Sequence, residues 1–142
     1  MAEALFREIV AGRPDFKIGS AGVGALPGQE ASRHTAEILR ERGIDLSRFR
    51  SRPLTLDLMK NATHIFAMAR HHLEAIEMDF PEAAEKAYLV SEFCSDDDLR
   101  DSDVGDPIGM GRAAYEETRE LLEKMLPSVL AYIEQTHPKK DS

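Results

Sequence analysis

Helix-like and strand-like segments alternate along this chain, which predicts an α/β fold with an open, mostly parallel sheet and helices on both faces. Two observations carry that expectation. His64-Ile-Phe-Ala-Met68 is a mostly apolar run of strand length, the pattern of a strand buried on both sides of a parallel sheet. Amphipathic stretches at helical spacing flank it, and Gly and Pro mark their ends.

The first helix covers residues 2–11, with Leu5, Phe6, Ile9 and Val10 on one face and Gly12 and Pro14 ending it. It begins with no capping residue and no strand leading into it. Phe16-Lys-Ile-Gly-Ser-Ala21 alternates as a short strand and runs into a loop with Gly22, Gly24, Pro27 and Gly28. Residues 31–42 form a second helix, with Ala36, Ile38 and Leu39 inward and Gly43 in the C′ position. A third starts near Leu54, with Thr55 as N-cap and Asp57 at the positive helix end. After the 64–68 strand come a helix over 70–79, a short strand at Ala87-Tyr-Leu-Val90 and an acidic loop from Ser95 to Asp106. The last helix spans 112–135, with Leu121, Leu122, Met125, Leu126, Val129 and Ile133 on one stripe. Pro127 lies within it and predicts a kink or a break into two segments. An alternation that opens on a helix calls, by right-handed crossover logic, for a strand before Met1.

The 142 residues fit one domain, 1–142, able to bury its own core. Lys and Arg total 18 against 26 Asp and Glu, a net charge of −8, spread along the chain. Such a field repels nucleic acid and anionic membranes, yet it leaves room for a phosphate held by backbone N–H groups. A single cysteine, Cys94, excludes an internal disulfide framework and a multi-Cys zinc site. No run has the length of a membrane span, and residues 1–20 carry Glu, Arg and Asp where a signal peptide is apolar, so a cytoplasmic protein is expected.

The sharpest chemical signal is Asp103-Val-Gly-Asp106-Pro107-Ile108-Gly in the loop before the last helix. Pro107 keeps Asp106 out of the helical region, so its carboxylate projects from a loop. A bound phosphate dianion, together with Asp101 and Asp103, would favour the protonated form that a general acid needs. Taken alone, Asp-Pro is also a common turn signal.

Several pieces stand in a telling order: Met1-Ala-Glu-Ala-Leu-Phe-Arg, Ser20-Ala-Gly22, Gly43-Ile-Asp-Leu-Ser47, Arg50-Ser-Arg-Pro-Leu-Thr55, a strand ending in Ala67-Met68, and Asp106-Pro107. Together they resemble the low-molecular-weight protein-tyrosine phosphatases, especially the bacterial branch that includes protein-arginine phosphatases, over essentially the whole chain. The resemblance implies a three-layer, doubly wound, mostly parallel sheet. It also implies hydrolysis of protein phosphotyrosine or phosphoarginine, or of a small phosphomonoester, through a cysteinyl-phosphate, with no metal or other cofactor. Asp106 would be the general acid, Ser20 would brace the phosphate loop, and Ile108 would line the substrate cleft. The family's nucleophile and phosphate-binding arginine lie in a Cys-x5-Arg loop that would precede Met1, together with a central strand. The 142-residue chain, truncated at its N-terminus, is therefore expected to be inactive alone.

Cys94-Ser-Asp-Asp-Asp-Leu-Arg100 satisfies Cys-x5-Arg literally, but three of its five intervening residues are Asp and none is Gly. Carboxylates there repel a phosphate and raise a thiol pKa, so the segment reads as a solvated acidic loop after a buried cysteine. His71 and His72 are adjacent and point to different helix faces, unlike an i, i+4 metal pair. Arg48, Arg50 and Arg52 read as loop solvation, with a phosphate-facing cluster as the alternative. Phe49 stands where many family members have His, and Ile108 where many have an aromatic residue, which leaves the substrate open.

Two other readings compete with the phosphatase: a non-catalytic truncated homologue kept as a binding module, and arsenate reduction on the same scaffold, which needs further redox cysteines. Sequencing upstream of Met1 in frame is expected to show a short apolar strand and Cys-x5-Arg followed by Pro. A stop codon directly before Met1 contradicts that expectation.

Overall fold

The computed structural model describes residues 1–22 and 28–136. The loop residues Gly24 and Pro27 and the tail from His137 to Ser142 lie outside them. By order along the chain the elements are α1 (Ala2–Ile9), α2 (Arg33–Glu41), α3 (Leu56–Asn61), β1 (Ile65–Ala67), α4 (Arg70–Asp79), a 3-10 turn (Pro81–Lys86), β2 (Ala87–Leu89) and α5 (Arg112–Thr136). The α/β class holds: β1 and β2 pair in parallel, Ile65 with Ala87, Phe66 with Tyr88 and Ala67 with Leu89, and α4 makes the crossover between them. The chain divides into two compact units, one of Met1–Leu54 with Asp106–Leu122 and the other of Thr55–Gly105 with Glu123–Ser142.

In the first unit α1 buries Ala4, Leu5 and Phe6, and α2 buries Thr35, Ile38 and Leu39. Ser32 caps α2, its Oγ accepting from the Thr35 amide at 3.3 Å. At the other end Gly43, at φ +82°, donates to Arg40 while the Ile44 amide donates to Leu39. That pair of bonds is a Schellman closure, and only a residue that tolerates positive φ completes it cheaply. The Phe16–Ala21 segment departs from expectation. It forms no strand, and among the described residues the one ladder contact beside it is a parallel bridge of Gly22 with Pro53, in which Gly22 accepts from Leu54 (3.3 Å) and donates to Arg52 (3.0 Å). Alternating side chains make a segment able to pair, but a strand exists only where a neighbour takes its backbone groups.

In the second unit Thr55 caps α3 as expected, its Oγ1 accepting from the Leu58 amide at 3.2 Å, and Lys86 donates to the Ala62 and Lys60 carbonyls at the helix C-terminus. α4 has no cap of its own, because its N-cap residue is Ala69. Asp103 supplies one from 33 residues away, Oδ1 accepting from the Arg70 amide at 3.0 Å, and the Arg70 guanidinium donates to the Asp101 carbonyl at 2.7 Å. The strand end is extended by Val90, whose amide donates to Ala67 (2.8 Å), and by Val104, which donates to Met68 (2.8 Å). Burial runs through Met59, Ala67, Ile76, Leu89, Val90 and Cys94, with Ser91 fully enclosed and donating to the Ser102 carbonyl at 2.6 Å.

Pro127 does not break α5, which runs unbroken from Arg112 to Thr136. Met125, Leu126 and Val129 are buried around it while Pro127 is exposed, so core packing on one face holds the helix through the loss of one backbone bond. Tyr132 of α5 stacks on Phe93 with ring centroids 3.8 Å apart and meets Tyr88 at 5.0 Å. Its hydrogen bond to Tyr88, with some desolvation, pushes the Tyr88 hydroxyl above its ordinary pKa.

Replacing Asp103 by Ala removes the side-chain acceptor of the Arg70 amide at the start of α4 and is expected to cost about 1 kcal/mol of unfolding free energy in urea denaturation.

Candidate active site

The Asp106 loop sits in the first unit and is built by its own backbone. Pro107 accepts from the Met110 amide at 2.9 Å, and Gly109 between them has φ +80°, the arrangement of a type II turn with glycine at its third position. Asp106 is exposed, and its Oδ1 accepts from the Ile108 amide at 3.1 Å. The turn thrusts two apolar side chains outward, Ile108 at 73 % exposure and Met110 at 59 %. Sequence reading singled out Ile108 and missed Met110. The signal for both was local: a glycine two residues after Asp-Pro, which turns the chain and leaves its neighbours at a corner.

Ser20 lies in the same unit and is tied to α1. Its hydroxyl donates to Glu3 Oε1 at 2.5 Å, and Glu3 also accepts from Arg7 at 2.9 Å across one helical turn. The Arg7 guanidinium goes on to the Ile18 carbonyl. Arg52 approaches the segment through its other residues: Nε donates to the Ser20 carbonyl at 2.9 Å, and the guanidinium lies across Gly19, where a Cβ would overlap it. Two arginines and one glutamate thus hold a segment that has almost no sheet partner. Ser20 was expected from the sequence; Glu3, Arg7 and Arg52 as its holders were not, because they come from 17, 11 and 32 residues away along the respective bonds.

The start of α1 opens on a cavity of about 470 Å³, lined by Met1, Glu3, Ala4 and Arg7 together with Ile44, Leu46 and Phe49. Met1 is the N-cap of α1 and makes no side-chain cap. Phe49, which stands where the resemblance led one to expect His, is thus an apolar wall of this cavity. Of the arginines after it, Arg50 donates to the Ser47 and Phe49 carbonyls and Arg52 to Ser20, which makes both of them loop braces.

The second unit settles what the acidic loop does. The Asp103 carboxylate is engaged by α4, and Asp101 contributes its carbonyl to Arg70. Cys94 is buried, and Arg100 donates to the Cys94 carbonyl at 3.0 Å and to Asp97 at 2.6 Å. In that arrangement the arginine is satisfied by oxygen atoms of its own loop, the opposite of a cradle of N–H groups around an anion.

Residues 1–139 match the model of the low molecular weight phosphotyrosine protein phosphatases. The chain belongs to that family. A protein-arginine-phosphatase of Geobacillus stearothermophilus is 36 % identical over 113 residues, 80 % of this chain and 74 % of that protein. One of Bacillus subtilis (strain 168) is 35 % identical over 127 residues, 89 % of this chain and 82 % of that protein. The solved YwlE arginine phosphatase of Geobacillus stearothermophilus superposes with a TM-score of 0.84 at 32 % identity, over 99 % of this chain and 89 % of its own. The low molecular weight phosphatase fold is therefore present in these 142 residues, with a small parallel sheet among helices.

Gly19→Ala is expected to expel the Arg52 guanidinium from the Ser20 carbonyl and to cost about 1 kcal/mol. In an Arg52→Ala background the same change should cost nothing further. A double-mutant cycle by urea denaturation measures the coupling, and additive losses would show that the two residues do not meet.

Proposed function

We propose that this chain is the greater part of a protein phosphatase that hydrolyses phosphoarginine or phosphotyrosine through a cysteinyl-phosphate, with Asp106 as the general acid and base. The observation that carries the proposal is the family match over residues 1–139, with two protein-arginine-phosphatases as relatives at 36 % and 35 % identity. Those two relatives favour phosphoarginine over phosphotyrosine. The exposed Ile108 and Met110 agree with an apolar rim for the stem of the phosphorylated side chain.

The chemistry divides between what these residues supply and what the family's nucleophile loop would supply. A thiolate attacks phosphorus only where backbone N–H groups and a helix N-terminus lower its pKa and hold the phosphate. α1 supplies the helix, and its first turn is free of any side-chain cap. Cys94 is buried with its carbonyl bonded to Arg100, which does not suit a nucleophile. In the family, a Cys-x5-Arg loop ahead of the helix that α1 resembles supplies that nucleophile and cradle. Asp106 then protonates the leaving oxygen or nitrogen and later takes the proton of the water that attacks the phosphoenzyme. The reaction is metal-independent and cytoplasmic. The 142 residues alone are inactive, and a binding module is the form the protein takes if no upstream loop is encoded.

The protein read in frame from upstream is expected to hydrolyse p-nitrophenyl phosphate while the 142-residue chain does not. Asp106→Asn should lower kcat/KM by roughly 10²-fold or more on a poor leaving group, and Cys94→Ser should change nothing. Activity lost with Cys94→Ser would overturn the assignment of the nucleophile.

A further inference from the structure

The Asp106 turn does more than aim a carboxylate. It distinguishes the two carboxylate oxygens. Oδ1 accepts from the Ile108 amide at 3.1 Å, whereas Oδ2 has no hydrogen-bond partner among the described residues. The donor cannot drift, because Ile108 is the second residue of a turn closed by the Met110 amide on Pro107 and shaped by the positive φ of Gly109. Pro107 restricts Asp106 on the other side. Asp106 is exposed, so a side chain without this tether would sample several rotamers.

We propose that the Ile108 backbone N–H is a positioning group for Asp106, fixing Oδ1 so that Oδ2 is the oxygen that exchanges the proton. The inference rests on the reading of Asp106 as the general acid. As the bond from phosphorus to the leaving oxygen or nitrogen breaks, its electron pair stays on the leaving atom, which takes the proton from Oδ2. Asp106 is left as a carboxylate, and the N–H on Oδ1 faces the charge that has just formed. In the second half the same Oδ2 takes a proton from water as the water oxygen bonds to phosphorus and the sulfur–phosphorus bond breaks, the electron pair returning to sulfur. The N–H acts at the moment of proton transfer and is not consumed, which is how a preorganised dipole assists catalysis. Met110 and Gly109 are held to this role through the turn itself, and the Ile108 side chain has no part in it.

Two variants separate the N–H from the side chain. Ile108→Pro deletes the donor yet suits the second position of the turn, where φ near that of proline is required; Ile108→Ala keeps the donor and deletes the side chain. In the protein read from upstream, Ile108→Pro is expected to lower kcat/KM about tenfold more for phenyl phosphate, a poor leaving group, than for p-nitrophenyl phosphate. Ile108→Ala, which trims the apolar rim but keeps the donor, should change kcat/KM by the same factor for both substrates and so leave their ratio at the parent value. An equal loss on both substrates with Ile108→Pro overturns the proposal. In the 142-residue chain, the Ile108 amide proton should exchange about tenfold more slowly in the parent than in Asp106→Ala, and equal rates also overturn it. If no phosphomonoester is hydrolysed by the parent protein, the phosphatase reading fails, and the exchange experiment still decides whether the tether exists.

Discussion

Backbone hydrogen bonding is the constraint on which the structure depends, because there is little sheet to satisfy it. β1 and β2 pair over three residues each. A parallel pair that short gains little by itself, so the groups just beyond it must find partners elsewhere. Val90 and Val104 extend the ladder, Ser91 turns inward to the Ser102 carbonyl, and Asp103 and Arg70 lock the loop onto the start of α4. What looks in composition like a solvated acidic run is, at Asp101 and Asp103, the fastening of the second unit.

The first unit meets the same shortage with arginine. Carbonyls of Ile18 and Ser20 that a neighbouring strand might be expected to occupy are taken by Arg7 and Arg52, and Gly19 is bare because a guanidinium passes over it. A guanidinium suits this work, since it presents several donors in a fixed plane and stays charged. Glu3 completes the assembly by joining Ser20 to α1. Around Asp106 a turn stabilised within five residues performs the corresponding task without help from any distant side chain.

The parts of this molecule that were legible in the sequence share a range. Thr55 caps a helix three residues away, Gly43 closes a helix that ends beside it, and the stripe on α5 repeats within single turns. The break allowed at Pro127 did not occur, since the buried face of α5 decides the helix and the proline sits on the exposed one. Residues 16–21 had the alternation of a strand and lacked its partner. The general-acid candidate stands out through Asp-Pro, and the Ile108 tether is equally local, formed two residues along and shaped by Gly109.

By itself the sequence determined the α/β class and the family, through pieces spread in order along the chain, because each depends on local propensity or on residues close together in the chain. Tertiary structure alone decided the holders of the Ser20 segment and the use of Asp103 as a helix cap. Each of these joins groups from separate elements, and which carboxylate meets which amide is fixed only when the chain has folded.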